Sequence, residues 1–504
     1  MSPTLSPGPT SETRDRIFVK SLAWIASARW ISQLLRWVAT LAMAKLLLPE
    51  DYGIVGMATV VVGLVNQVAE FGLGAAVVQH RDLSHRTERR IAGVAVLVAL
   101  VLAAATAAAS PLVAAFYTQD ALLLVLPVLS LRFLIDAFAT VPRALLARNL
   151  QFKQLAVIEA VESTLMAATG LAVAFVTHSF WALIAANLVS GTAFALLANI
   201  QAPVAPRWPG RLSELRPLLN FGRDLVISRL GWFSYSNADF VIVGRVLGEA
   251  ALGAYTLAWS IASAPAEKFA GLVLSVAPAI LSDAKREEGE VRRIFLVMVQ
   301  GVALVIFPLA VGLAMVAELV IAVLGPQWAA ATAPLQLLAL AFIFRALAAL
   351  EPVVLLARHE TYVDRNMMLL FAVIAPVAFV AGAQWGTVGV AGAWLLFMPA
   401  ISLPLQERLV WRKIGVSWGN WLRAIWPGAS SAAFMALAVR ALLMLRPVDH
   451  TITLLALAVV TGGIVYIAFL WTVHPAAAQA LMRTVRRHEA RIPATEVALG
   501  ADPA

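Results

Sequence analysis

The chain has 504 residues, 61% of them apolar and 13% charged, with a mean hydropathy of +0.84 and a formal net charge of +9. A soluble globular domain has about half its residues apolar and about a quarter charged, so this composition describes a membrane protein with many spans. The absence of cysteine excludes disulfides, thiolate metal sites and a cysteine nucleophile, and the histidines (His80, His85, His178, His359, His450, His474 and His488) show no metal-ligand spacing, so no metal centre is expected.

Within the N-terminal arm, 1–20, the first 16 residues are polar and rich in Ser, Thr and Pro, unlike a cleavable signal peptide, so the first span is expected to act as its own insertion signal. Stretches of about 20 apolar residues predict fourteen helices, at 21–48, 53–78, 91–116, 121–142, 154–176, 180–201, 223–247, 252–281, 293–324, 330–357, 366–384, 388–406, 420–444 and 451–473. Weak breaks within 366–406 and 420–473 leave twelve or thirteen as alternatives. The organisation expected is a six-helix lobe over 21–201, a linker over 202–222, a second six-helix lobe over 223–406, two additional helices over 420–473 and a basic tail over 474–504. In the linker, Leu212, Leu215, Leu218 and Leu219 fall at helical spacing beside arginines, which suits an interfacial helix on anionic lipid or a solvated connector equally well.

Charge orients the chain. Most of the 38 Lys and Arg residues fall on one set of connections: the N-terminal arm, 79–92, 143–153, the linker, 285–293, 358–365, 408–413 and the tail. The opposite, very short connections carry a single cation, Arg446. The positive-inside rule then puts both termini in the cytoplasm, and the cytoplasmic (inner) membrane is the location expected.

Two stretches repeat. Arg29 through Gly53 matches Arg229 through Gly253 at an offset of 200, aligning Arg29 with Arg229, Lys45 with Arg245, Leu47 with Leu247 and Gly53 with Gly253. Pro142-Arg-Ala-Leu-Leu-Ala-Arg148 matches Pro352-Val-Val-Leu-Leu-Ala-Arg358 at an offset of 210. An even number of spans separates the copies, so the repeat is parallel, about an axis normal to the membrane. The fold class expected is therefore all-α and polytopic: two pseudo-equivalent six-helix bundles plus two C-terminal helices.

Ionisable groups inside spans are costly, and each is a functional hypothesis. Arg29 and Arg36 share one face of the first helix, with Arg29 about 13 Å from its inner end. Arg229 has a similar depth in the seventh, beside Asn237 and Asp239. Arg29, Arg36 and Arg229 suit either a water-filled cationic cavity or structural pairing with Glu159 and Glu162, which form a polar stripe with Ser163. These glutamates would then exchange protons or only neutralise arginines. Arg132 and Asp136, at i and i+4, suit an intrahelical ion pair, structural or coupling in role, and the tenth helix carries Arg345 and Glu351 on different faces. Lys45 and Arg245 are expected to snorkel at the outer boundary.

Leu48-Pro-Glu-Asp-Tyr-Gly53 followed by Phe71-Gly-Leu-Gly-Ala-Ala-Val-Val-Gln79 resembles the signature of bacterial polysaccharide flippases, the Wzx-type O-antigen and exopolysaccharide exporters, and within them the colanic acid exporter branch. Arg143-Ala-Leu-Leu-Ala-Arg-Asn-Leu-Gln-Phe152, Asn237-Ala-Asp-Phe-Val-Ile-Val-Gly-Arg-Val-Leu-Gly248 and Leu252-Gly-Ala-Tyr255 fit the same branch. The likeness covers most of 20–415; the last helices match in hydropathy only. It implies membership of the superfamily of multidrug extruders, oligosaccharide flippases and lipid II flippases. It also implies two six-helix lobes in a V, alternating access, and polyprenyl-pyrophosphate-linked sugars as cargo. No cofactor is implied, an ion gradient or the membrane potential being the driving force. The partners implied are lipid-linked oligosaccharide, membrane lipids and the polymerase and export machinery, with no nucleic acid. The family's cationic cavity carries over to Arg29, Arg36 and Arg229 as a suggestion, with Asn237, Asp239, Glu159, Glu162 and Arg345 as further candidate walls. Arginine's paired donors suit pyrophosphate. No catalytic group is expected, and the chain lacks a P-loop for ATP. The alternatives are a cation-coupled multidrug exporter of the same superfamily and a membrane glycosyltransferase or polymerase. The first would call for a cavity dominated by acids, the second for a catalytic carboxylate on a large outer loop.

Overall fold

The computed structural model describes residues 38–69, 73–79, 83–208, 216–264, 288–358, 360–445 and 447–479; the side chains of 75, 76, 79, 216–229, 288, 357 and 361 lie outside the description. Every regular element among these residues is helical. After a helical stretch at 38–46 come α1 (Pro49–Ala69), α2 (Leu73–Gln79), α3 (His85–Tyr117), α4 (Leu122–Arg148), α5 (Phe152–Thr177), α6 (Trp181–Gln201) and α7 (Arg216–Leu247). A helical stretch at 249–264 precedes α8 (Glu288–Leu324), α9 (Thr332–Ala348), α10 (Glu351–Ala357), α11 (Thr361–Ala383), α12 (Gly386–Phe397), α13 (Trp418–Leu445) and α14 (Thr451–Val473). Two π-turns, Met398–Ser402 and Glu407–Trp411, flank a short α-turn and carry the chain on from α12.

Among the described residues, eleven helices are long and apolar enough to cross a membrane, and each coincides with an expected span. The expected first and eighth spans fall largely outside the described residues. The expected seventh is α7, 32 residues long but interrupted by Asn237, Asp239 and Arg245, and it is not among the eleven.

Local chemistry explains several boundaries. Ser84 caps α3 by accepting from the Thr87 N–H at 3.2 Å, so the helix begins in polar sequence at His85, six residues before its apolar run. Pro142 does not end α4, which continues to Arg148. Prolines also sit inside α3, α8, α11 and α13, as membrane helices tolerate. Asp51, in the first turn of α1, accepts from the Leu48 N–H at 3.0 Å and from the Phe180 N–H at 2.8 Å, tying the starts of α1 and α6 together.

The chain packs as two compact units. The first comprises Met1–Thr256 with Met368–Val377; the second, Leu257–Met367 with Ala378–Ala504. In the first unit α3 packs on α4, α6 on α4 and α5, and α1 on α7. One core gathers Leu73, Ile91, Val94, Phe133 and Val141; another gathers Leu146, Leu155, Ile158 and Phe194. The segment after α6 lies against α3, where Arg89 Nε donates to the Ala205 carbonyl at 3.0 Å and the Arg207 N–H to the Arg89 carbonyl at 2.9 Å. In the second unit α13 packs on α8 and α14 over a core of Leu304, Val316, Met435, Val439 and Leu470. The Tyr466 hydroxyl donates to the Leu304 carbonyl at 2.7 Å.

The first unit brings the repeated stretches face to face. A Cβ placed on Gly53 would lie 1.9 Å from the Glu249 carbonyl oxygen, and one on Gly253 would lie 1.7 Å from the Pro49 carbonyl oxygen. Each glycine therefore admits the backbone of the opposite copy, four residues before its counterpart. A contact in which i meets j′ while i′ meets j is the mark of a local twofold axis. Around it, Leu47, Met57 and Leu252 are buried.

Candidate functional site

The clearest polar assembly inside the spans is centred on Arg132 of α4. Its Nε donates to Asp136 Oδ1 at 2.8 Å, the i,i+4 pair expected from the sequence. Its Nη1 donates to the Asn187 carbonyl of α6 at 2.6 Å, and its Nη2 lies 3.8 Å from Glu162 Oε1 of α5. One guanidinium thus joins three helices, using a fork that a lysine could not reproduce. Gly191 makes room for it: a Cβ there would stand 2.3 Å from Nη1. Ser163 spends its hydroxyl on its own helix, donating to the Glu159 carbonyl at 2.7 Å. Glu159, Glu162 and Arg132 are each half-buried, so this node is neither sealed nor fully solvated.

The other residues singled out from the sequence lie elsewhere. Arg29 and Arg36 lie outside the described residues, and so does the side chain of Arg229, whose backbone is part of α7. On α7, half-buried Asn237 donates from Nδ2 to the Phe233 carbonyl at 2.9 Å. Asp239 is fully buried, and its Oδ2 accepts from the Tyr255 hydroxyl at 2.7 Å, with the Tyr255 ring edge-on to Phe240. That places Asp239 within packed helices rather than on an open wall. Lys45 and Arg245 are exposed, and the Arg245 guanidinium lies 5.6 Å from the Phe116 ring centroid.

Arg345 belongs to the second unit. Its guanidinium carbon lies 5.0 Å from the Trp394 ring, 5.3 Å from Trp259 and 5.8 Å from Phe342. Aromatic faces attract a cation without neutralising it.

Two ionic assemblies and one buried hydrogen bond could not be read from spacing. Glu88, 2% exposed, pairs with Arg148 at 2.6 Å and with His85 at 2.9 Å, joining α3 to the far end of α4 across 60 residues. In the second unit Arg358, the repeat counterpart of Arg148, pairs with Glu360 at 3.4 Å, and Glu360 also receives Lys413. These bonds, Lys413 first, hold the Glu360 carboxyl below its ordinary value. Trp411 Nε1 donates to the buried carboxyl of Glu351 at 2.9 Å. The only legible signals were the cap at Ser84, which makes Glu88 helical, and the Pro142/Pro352 repeat, which makes Arg148 and Arg358 equivalent.

A helical membrane fold built from a repeated half, with charges linked inside its spans, defines a multi-pass transporter-like architecture. The chain belongs to the family described as polysaccharide biosynthesis protein, which matches residues 42–333. It is 30% identical over 65% of its length to the teichuronic acid biosynthesis protein TuaB of Bacillus subtilis, covering 68% of that protein. It is 23% identical over 81% of its length to the lipopolysaccharide biosynthesis protein WzxC of Escherichia coli, covering 84% of it. Its fold is similar to that of a lipid II flippase, MurJ, in an inward closed conformation, with a TM-score of 0.74 at 13% identity, covering 89% of this chain and 98% of that one.

Proposed function

We propose that this protein is a flippase that moves polyprenyl-pyrophosphate-linked oligosaccharide units across the cytoplasmic membrane for surface polysaccharide biosynthesis. The observation that carries the reading is the reciprocal contact of Gly53 and Gly253, which joins two copies of one helical element about a local twofold axis in a chain of this family. Such paired elements let one side of a membrane protein close while the other opens. The lobes are 21–201 and 223–406, joined by the linker 202–222 and followed by two further helices, with both termini cytoplasmic. In that orientation the glycine contact closes the outer side.

Arg29, Arg36 and Arg229 form the basic wall of the cargo path, and Arg345 contributes a fourth cation held by aromatic rings. Asn237 shapes the α7 side of the path, Asp239 supports it from behind through its buried bond to Tyr255, and Glu159 and Glu162 balance its charge. Arg132 and Asp136 keep α4, α5 and α6 in register. A basic, laterally open path holds the anionic head while the polyprenyl tail stays in lipid. The transfer needs no bond-breaking, so the protein acts as a transporter, drawing on an ion gradient or the membrane potential. It hands its cargo to a polysaccharide polymerase and export machinery.

The experiment is deletion of the gene and complementation with wild type, Arg29→Ala and Arg229→Ala. Deletion is expected to accumulate lipid-linked repeat units on the inner leaflet, cleared by wild type and not by the variants. Normal polysaccharide with altered drug susceptibility would instead identify a multidrug exporter.

A further inference from the structure

The second unit buries a carboxyl that the transport reading leaves unused. Glu351 opens α10 and is 4% exposed. Its one hydrogen bond comes from the indole Nε1 of Trp411, and among the described residues no cation pairs with it. Trp411 is itself buried and fixed, stacked on Trp421 at 5.2 Å and edge-on to Trp418 at 5.2 Å. The charged groups of the surrounding elements are committed elsewhere or have the wrong sign. Asp364 of α11 acts on Glu351 as a like charge. Arg412 holds Glu407 at 2.8 Å, Arg358 and Lys413 hold Glu360, and Arg345 of α9 lies over three aromatic rings. An ionised carboxylate removed from water without a cation costs several kcal/mol, and a single indole N–H does little to offset that. A neutral carboxylic acid fits this position.

The repeat supplies an internal control. Pro352 through Arg358 matches Pro142 through Arg148, so Glu351 occupies the position of Val141. Val141 is fully buried in the first unit. The same repeat position is therefore a buried hydrophobe inside α4 and a buried acid at the start of α10, so burial at this position does not call for the acid. The segment that presents Trp411 is also unusual. It contains two π-turns, a geometry that recurs at functional sites, and between them the Gln406 Oε1 is buried without a hydrogen-bond partner among the described residues. An unsatisfied buried oxygen is a cost that entry of water into this segment would relieve.

We propose that Glu351 is a proton-binding site of the transport cycle, occupied in this conformation and emptied when the 398–411 segment withdraws Trp411 and admits water. The proposal rests on the transporter reading above. It is tested on the full-length protein in lipid nanodiscs by infrared difference spectroscopy across pH, comparing wild type, Glu351→Gln and Glu351→Val. The expected result is a protonated-carboxyl C=O band at neutral pH in wild type that is lost in both variants, with Glu351→Val remaining folded as Val141 does in the other copy. Identical spectra in wild type and Glu351→Gln would overturn the proposal.

A second arm reads transport in proteoliposomes. Translocation of a lipid-linked oligosaccharide by wild type should respond to an imposed proton gradient, and translocation by Glu351→Gln should not. Retention of the response in Glu351→Gln would overturn the site as a coupling residue. Absence of any translocation by wild type would instead count against the flippase reading, while the infrared arm would still decide whether Glu351 carries a proton.

Discussion

Replacing Gly53 and Gly253 by alanine tests the twofold contact most sharply. The new Cβ atoms would lie 1.9 Å from the Glu249 oxygen and 1.7 Å from the Pro49 oxygen, where ordinary contact begins near 3.4 Å. The atoms met are backbone carbonyls, which cannot rotate aside as a long side chain can. The two copies must therefore part by about 1.5 Å at one site and about 1.7 Å at the other, the differences between those distances. Overpacking of this kind costs about 1–3 kcal/mol per site. If the contact closes the outer side, that cost falls on the closed state alone and shifts the closed-to-open ratio roughly 5- to 150-fold for each substitution. The chain has no cysteine, so a reporter at Met57, fully buried one turn below Gly53, can be read without background. Met57→Cys should label slowly with a membrane-impermeant maleimide added outside. Adding Gly53→Ala with Gly253→Ala should accelerate labelling. Unchanged labelling in a folded double variant would refute the gate.

Three further outcomes follow from the ionic assemblies. Glu88→Ala leaves the largely buried Arg148 guanidinium without its acid and should destabilise the protein by about 3–5 kcal/mol, read as a lower unfolding midpoint in detergent; a midpoint equal to wild type would show that the pair contributes nothing. Arg132→Met removes the link between α4, α5 and α6 and should cost about 2 kcal/mol, with hydrogen exchange accelerating around Asn187 in α6 before it does in α14. The third concerns pH. The Glu360 carboxyl is held below its ordinary value of 4.5 by Lys413 and Arg358, so its contribution is complete above that value and lost as pH falls through the lower, folded value. Wild type should be more stable than Glu360→Gln at pH 7, and the difference should shrink on acidification below 4.5 and vanish only below the lower, folded value. A difference that grows in acid would contradict the assignment.

Hydropathy alone located eleven spans among the described residues because a membrane helix must satisfy its backbone internally and offer lipid an apolar surface. The errors lay at ends, where capping and proline decide. Ser84 starts α3 in polar sequence, and Pro142 passes within α4 instead of ending it. The i,i+4 pair of Arg132 and Asp136 was legible because a helix fixes that spacing. Its links to Glu162 and to Asn187 were not, since spacing within one helix says nothing of its neighbours' rotation. The same limit put Asp239 on a cavity wall, whereas the rotation of α7 buries it against Tyr255. Arg148 reads from the sequence as a loop cation of a positive inner face, and nothing in the sequence links it to Glu88, 60 residues away. The twofold contact was implied by the repeat, but spacing alone does not reveal that Gly53 and Gly253 are small because the opposite backbone occupies their Cβ positions.

The central claim is that this protein carries a lipid-linked glycan across a bilayer. The most direct measurement is reconstitution of the purified chain into vesicles containing a fluorescent polyprenyl-pyrophosphate oligosaccharide, following its transfer between leaflets by quenching from outside. The account predicts protein-dependent transfer that is lost in Arg29→Ala and Arg229→Ala vesicles of equal protein content. Transfer no faster than in protein-free vesicles would contradict it.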